Sequence, residues 1–305
     1  MKKSLIAKII ISIAIIFILI YKIGLNSIIS NLQTINLFFL PAIILMYIIN
    51  FYTAGINLKV LTQAIGKKIN IHTLTKYHII SWAMGLWVPG KIGEFSIIYL
   101  FKKKKISIGE GTVIHILDKA ITILTFSIVS IVGFFIFYGI EKSLEISIIL
   151  LIVFLIGFTF LISSKTREFL KKYILRKHHL LFKGFSKTLF LFLKKKKRFL
   201  LINILLTLMK LVFSSAIVWL IFLSTSTYVN IMYVIIFNSM LTIISLIPIS
   251  LGGLGIREMS AVLLYKIIGI NEATTLSIYI IVLIFNYIIS ISSIYLLKEK
   301  KIKTY

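Results

Sequence analysis

The sequence contains no cysteine, only three prolines and only nine acidic residues, against 35 lysines and arginines. Without cysteine there is no structural disulfide, no thiolate metal site and no cysteine nucleophile. With prolines so scarce, each one marks a place where a helix starts, stops or breaks. The shortage of acids leaves a formal net charge of +26, which raises the question of nucleic acid. The basic residues, however, stand in blocks between long apolar runs, a pattern of membrane topology and contact with anionic lipid. Nucleic-acid binding is set aside on that ground. His72, His78, His178 and His179 have no acidic or cysteine companion at metal-ligand spacing, so no metal and no other cofactor is expected. No Ser/His/Asp set can be assembled either.

What is present is apolar: 59% of the 305 residues are hydrophobic, with a mean hydropathy of +1.04. Such a chain is a polytopic all-α membrane protein. Met1-Lys2-Lys3 and the run 5–23 resemble a signal peptide, but the run is too long and lacks a small-residue cleavage site, so it reads as an uncleaved first helix. About 20 apolar residues cross a bilayer as helix. Six segments qualify, near 5–23, 35–58, 112–140, 146–162, 199–223 and 274–297. Two more are interrupted. Residues 73–88 run into Pro89-Gly90-Lys91-Ile92-Gly93-Glu94, and residues 230–247 run into Pro248 and a glycine-rich stretch, and in each case a shorter apolar run follows. Both read as re-entrant helical hairpins.

Charge supports this topology. With the N-terminus in the cytoplasm and only the six spans crossing, 27 of the 35 basic residues fall in cytoplasmic segments. Treating either hairpin as a full crossing throws a basic block to the outside, against the positive-inside rule. The expectation is therefore a plasma-membrane protein with both termini cytoplasmic. The order span, span, hairpin, span then occurs twice from opposite faces, an inverted repeat with halves near 1–140 and 146–305 in one transmembrane domain. Paired Gly/Pro-interrupted segments in two inverted halves point to a binding site near the midplane. Residues 163–198 are basic with interleaved Leu and Phe and read as an interfacial segment on anionic inner-leaflet lipid.

Charged residues inside apolar segments are costly and mark functional sites. Each hairpin carries a base and an acid at its break, Lys91 with Glu94 and Arg257 with Glu258. Both acids stand where a helix begins and are also readable simply as caps. Gly252, Gly253 and Gly255 bare backbone N–H groups before a helix, an arrangement that binds anions, and Arg257 adds a bidentate donor suited to phosphate. Ser250 lies in the same stretch. If the hairpin tips meet, Arg257 is placed to pair with Glu94, and Lys91 with Glu258. Asp118, with His115 on the same helical face and Lys119 adjacent, and Lys210 are further charges deep in spans, lining a polar path or pairing with each other. The candidate substrate-binding set is thus Lys91, Glu94, Asp118, Lys210, Ser250, Gly252, Gly253, Gly255, Arg257 and Glu258.

Three stretches, Pro89-Gly90-Lys91-Ile92-Gly93-Glu94, His115-Ile116-Leu117-Asp118-Lys119 and Pro248-Ile249-Ser250 with Gly252-Gly253-Leu254-Gly255-Ile256-Arg257-Glu258, together resemble the family of the lysylphosphatidylglycerol synthase transmembrane region, flippase-like integral membrane proteins. The family commonly carries an arginine around Lys91 or just after Glu94, and a Glu-Arg pair near His115-Ile116, and this chain departs there. The resemblance implies movement of a phospholipid or a polyprenyl-linked lipid between leaflets. Some members add a soluble aminoacyl-transferase domain, whereas here only eight residues follow the last span. A carrier is therefore expected ahead of a membrane subunit serving a separate transferase, and that ahead of a lysyltransferase in its own right.

Overall fold

The computed structural model describes residues 2–163 and 182–297. Among the described residues the fold is helical throughout, without strands. The nearly uninterrupted apolar run of α1 (Lys2–Ile23) ends at Gly24, whose φ of 90° breaks the helix. A short amphipathic α2 (Leu25–Gln33) buries Ile28. Asn36 then caps a 3-10 turn at Leu37–Phe39, and Pro41 opens α3 (Leu40–Ala64), where a missing N–H does no harm.

The first interrupted segment is α4 (Ile71–Leu86), an irregular 3-10 stretch (Pro89–Ser96) and the short α5 (Ile97–Lys102). Gly90 and Lys91 sit there in left-handed geometry, φ 63° and 56°. Next, α6 (Ile108–Ile162) starts on a capping box between Ser107 and Glu110. It runs 55 residues, about 80 Å at 1.5 Å per residue, far more than a hydrocarbon core of about 30 Å. Its one non-helical residue is Gly139, φ 77° and ψ 176°. The loop expected between spans ending at 140 and starting at 146 is thus absent. Glu141, Lys142, Leu144 and Glu145 are good helix formers, so the chain turns at a single glycine and resumes its helix.

Of the basic segment 163–198, residues 164–181 lie outside the described residues, as do 298–305. The part described includes α7 (Phe185–Lys195), which buries Leu189 and Phe192 against protein instead of only resting on lipid. Then follow α8 (Lys197–Ser224), α9 (Ile231–Ile244), α10 (Ile256–Ile267) and α11 (Glu272–Leu297). Five stretches, Ile6–Ile23, Leu37–Ala64, Ile108–Gly157, Lys197–Ser224 and Glu272–Leu296, are long and apolar enough to cross a membrane.

Two large hydrophobic cores hold most of these helices, and a small third joins α1, α2, α10 and α11 at Leu19, Ile28, Val262 and Leu276. One large core gathers α4, α5, the start of α6 and α7 around Leu74, Tyr77, Phe101 and Ile114. The other gathers the end of α8 with α9, α10 and α11 around Phe222, Phe237, Tyr265 and Tyr279. Helix α3 contributes to both and packs along α8. Between helices in lipid the gain is close contact, and Gly55 lies hard against Thr75 and Gly133 against Ile236, with no room for a Cβ.

Local chemistry recurs along the chain. Asn70 and Asn230 each cap the following helix by accepting from the N–H two residues on. Gly66 and Ser226, with positive φ, each end the preceding one. The turn bonds match as well: Lys67 N–H to the Thr62 carbonyl and Thr227 N–H to the Phe222 carbonyl. The same interval separates the members of every pair.

Candidate functional site

The breaks in the two interrupted segments meet. A Cβ on Gly90 would come within 3.1 Å of Pro248 Cβ, and one on Gly252 within 2.5 Å of the Leu86 carbonyl oxygen. Gly93 lies against the Met84 carbonyl. Gly93 and Gly252 thus have no room for a Cβ, and Gly90 and Gly252 also hold positive φ, 63° and 57°.

Beside the first break Glu94 is buried, and its carboxylate pairs with Lys119. Neither cross-pair expected between the tips is present among the described residues: Glu94 takes Lys119, not Arg257, and Glu258 accepts the Gly255 N–H at 2.6 Å instead of binding Lys91. The reason is reach. The third span passes Glu94 with Lys119 toward it, and Glu258 folds back on its own helix start. Glu258 is thus the helix cap, and Glu94 is not.

Asp118 faces away from Lys119 by the turn of the helix and enters a second buried cluster. Lys210 Nζ stands 3.7 Å from Asp118 Oδ1, and the amides of Asn57 and Asn203 donate to the same oxygen at 3.1 and 3.4 Å. Asn57 also donates to Thr207 at 3.2 Å. Of the two alternatives open for Asp118 and Lys210, a polar path or a mutual pair, the structure has the pair. Asn203, Thr207 and Lys210 recur at helical spacing on α8, a polar stripe in an apolar span, and that spacing is the signal by which they were findable.

Glu94 and Lys119, together with Lys91 and His115, form one end of a cavity of about 1050 Å³. Its walls come from both parts of α6 on either side of Gly139 and from α9, with Ile123, Phe126, Phe134, Leu150 and Ile243 among them. The Lys91 side chain makes no hydrogen bond or ion pair among the described residues, its backbone N–H donating to the Val88 carbonyl. His115 is buried edge-on to Phe95 at 4.6 Å, and its Nε2 has no hydrogen-bond partner. The cavity therefore has a charged end with unused donors and a long apolar body.

The second break is arranged differently. Gly252, Gly253, Arg257 and Glu258 line a crevice of only about 30 Å³, room for one or two waters. The backbone donors of that stretch are largely taken: Leu251 N–H donates to Ser12 Oγ at 2.9 Å and Gly255 N–H to Glu258. Gly255 packs against the α1 backbone at Ser12, and Ser250 is fully buried. Arg257 donates to Asn238 Oδ1 at 3.3 Å and stands 5.8 Å from the Tyr279 ring centroid, while Asn238 donates to Ser214 and Ser215. Arg257 has no carboxylate partner among the described residues, and its Nε makes no hydrogen bond.

The structure thus sorts the candidate residues. Lys91 and Glu94 line the large cavity; Asp118 and Lys210 form a closed cluster behind it; Ser250, Gly252, Gly253, Gly255, Arg257 and Glu258 build the second tip. Lys119 and His115, not singled out as binding residues, join the cavity. Among the described residues no group of His, Asp and Glu is placed to hold a metal. A family model described as "Lysylphosphatidylglycerol synthase TM region" matches residues 5–293. No curated protein matches the chain.

Proposed function

The chain belongs to the lysylphosphatidylglycerol synthase TM-region family, and from that premise we propose that it moves a lipid with an anionic headgroup between leaflets. A phospholipid or a lipid-linked sugar phosphate has this chemistry. The observation that carries the reading is the cavity of about 1050 Å³, charged at one end and apolar along its length. Ligand sites of 300–1,000 Å³ typically combine apolar walls with a few placed polar groups. Here the unpaired Lys91, the half-buried Lys119 and the unpartnered His115 Nε2 supply headgroup donors. The walls of α6 and α9 suit an acyl or polyprenyl chain.

In this reading α6 crosses twice, turning at Gly139, which makes six crossings. The two interrupted segments are re-entrant hairpins in inverted halves. The matched caps at Asn70 and Asn230 and the matched turns at Gly66 and Ser226 support the repeat. The meeting of the tips at Gly90 and Pro248 supports a gate at mid-depth. Arg257, a cation without a carboxylate partner on the far tip, is the second anchor a headgroup meets in passing. The excess of lysine and arginine in connecting segments supports a topology with both termini in the cytoplasm, and the membrane in this reading is the plasma membrane.

The test is leaflet-resolved chemical quenching of labelled phosphatidylglycerol in vesicles holding the purified chain. Wild type is expected to translocate the lipid well above protein-free vesicles. Ser127→Trp, which puts an indole into the cavity, is expected to stop it. Translocation no faster than in empty vesicles overturns the reading.

A further inference from the structure

We propose that headgroup binding and protonation of Glu94 are one linked event, so that the protein carries a proton with each anionic lipid. The inference rests on the reading of the cavity as a lipid site and goes beyond it by naming the coupling ion. Glu94 and Lys119 pair with each other, and both line the cavity. The lysine is the more accessible partner, with its side chain 34% exposed against 9% for the glutamate. An arriving phosphate therefore meets the lysine first.

Lys119 has one ammonium to share. If it turns to the phosphate, Glu94 is left as a buried carboxylate without its cation, a strongly unfavourable state. A group so placed neutralises instead. The other charged or titratable groups within electrostatic reach of Glu94 are Lys91 on its own segment, His115 on α6, His78 on α4 and Lys210 on α8. Lys210 is occupied by Asp118, which also has two amide donors. Lys91 also lies within electrostatic reach of Arg257, a second cation without a carboxylate partner among the described residues. None of these groups gives Glu94 a second carboxylate–ammonium bond among the described residues.

The exchange balances. The Lys119–carboxylate ion pair breaks, an ammonium–phosphate pair forms, and a hydronium entering through the cavity gives up a proton: one of its O–H bonds breaks, an O–H bond forms on Glu94, and water leaves. One negative charge and one positive charge enter together, so the loaded centre has the same net charge as the empty one. Release on the other side reverses each step: the phosphate leaves, Lys119 closes on Glu94, and the proton is expelled to that side. A headgroup bound only by Lys91, with Glu94–Lys119 intact, would carry no proton.

The experiment uses the full chain in phosphatidylcholine vesicles doped with labelled phosphatidylglycerol and loaded with a pH-sensitive dye. An imposed proton gradient is expected to speed translocation several-fold in its own direction, and lipid movement is expected to shift lumenal pH. A potential clamped with potassium and valinomycin is expected to leave the rate unchanged, because the loaded centre carries no added charge. Translocation that ignores the proton gradient overturns the coupling while leaving the lipid site standing. No translocation at all overturns both. Glu94→Gln is expected to lose the gradient response and the lumenal signal, whereas His115→Gln removes a headgroup donor and is expected to slow translocation while the remaining rate still responds to the gradient. The reverse pattern would move the proton to His115 and overturn the assignment. The gradient and potential measurements need only wild type, so they decide the question even if Glu94→Gln fails to fold.

Discussion

Replacing Lys210 by methionine removes the ion-pair partner of Asp118. The carboxylate keeps two neutral donors, Asn57 at 3.1 Å and Asn203 at 3.4 Å, and is 4% exposed. Breaking a buried pair costs about 3–5 kcal/mol because the remaining charge is uncompensated. The two surviving amide donors place Lys210→Met at the lower end, about 3 kcal/mol. Asp118→Asn leaves Lys210 with no other ion-pair partner among the described residues and belongs near the upper end, about 5 kcal/mol. The double variant leaves no lone charge, so its loss falls below about 3 kcal/mol against a sum of about 8 kcal/mol for the single changes, a coupling of at least about 5 kcal/mol. The assay is thermal unfolding in detergent, where about 3 kcal/mol corresponds to roughly 6–12 °C in midpoint. Equal midpoints for wild type and Lys210→Met would refute the pair as a structural element. Additive losses in the double variant would refute the coupling.

Three further outcomes follow from the geometry. Gly93→Ala drives a Cβ into the Met84 carbonyl and is expected to abolish folding, whereas Gly66→Ala, with open space and only a φ of 78°, costs about 1–2 kcal/mol; expression and midpoint of the two variants check this. Gly139→Ala is strained at φ 77° and ψ 176°, a region reserved to glycine, and is expected to change the angle between the two parts of α6. The chain has no native cysteine, so spin labels at Ile128 and Ile149 report it directly. Arg257→Lys loses the stacking on Tyr279 and the bond to Asn238 and is expected to slow lipid translocation about tenfold, the equivalent of about 1–2 kcal/mol of cation–π interaction.

The breaks at Pro89-Gly90 and Pro248 to Gly255 were legible because proline and glycine act locally, whatever surrounds them. The long apolar spans were legible from composition for the same reason. The turn inside α6 was not, since Gly139 alone interrupts a run of good helix formers and nothing nearby signals a loop. Asp118 and Lys210 were legible as charges deep in spans, but whether they line a path or pair with each other depends on how α6 packs against α8. The partner of Glu94 was misjudged: Lys119 sits next to Asp118 in sequence, yet a helix turns adjacent residues apart, and only the packing of α6 against the first break shows which acid each lysine serves. The glycines before α10 read equally as an anion site and as packing positions. Their close approach to Leu86, Ser245 and Ser12 favours packing, a fact set by neighbours far away in the chain.

The central claim is that an anionic headgroup sits among Lys91, Glu94, His115 and Lys119 with its chain along α6. Phosphatidylglycerol with a photoreactive group in its headgroup, reconstituted with the protein and mapped by peptide mass spectrometry, tests it most directly. Adducts are expected on the peptides spanning 90–95 and 115–119, and their loss in Lys119→Ala. Adducts confined to the outward apolar faces of α1 and α6, unchanged by that substitution, would contradict it.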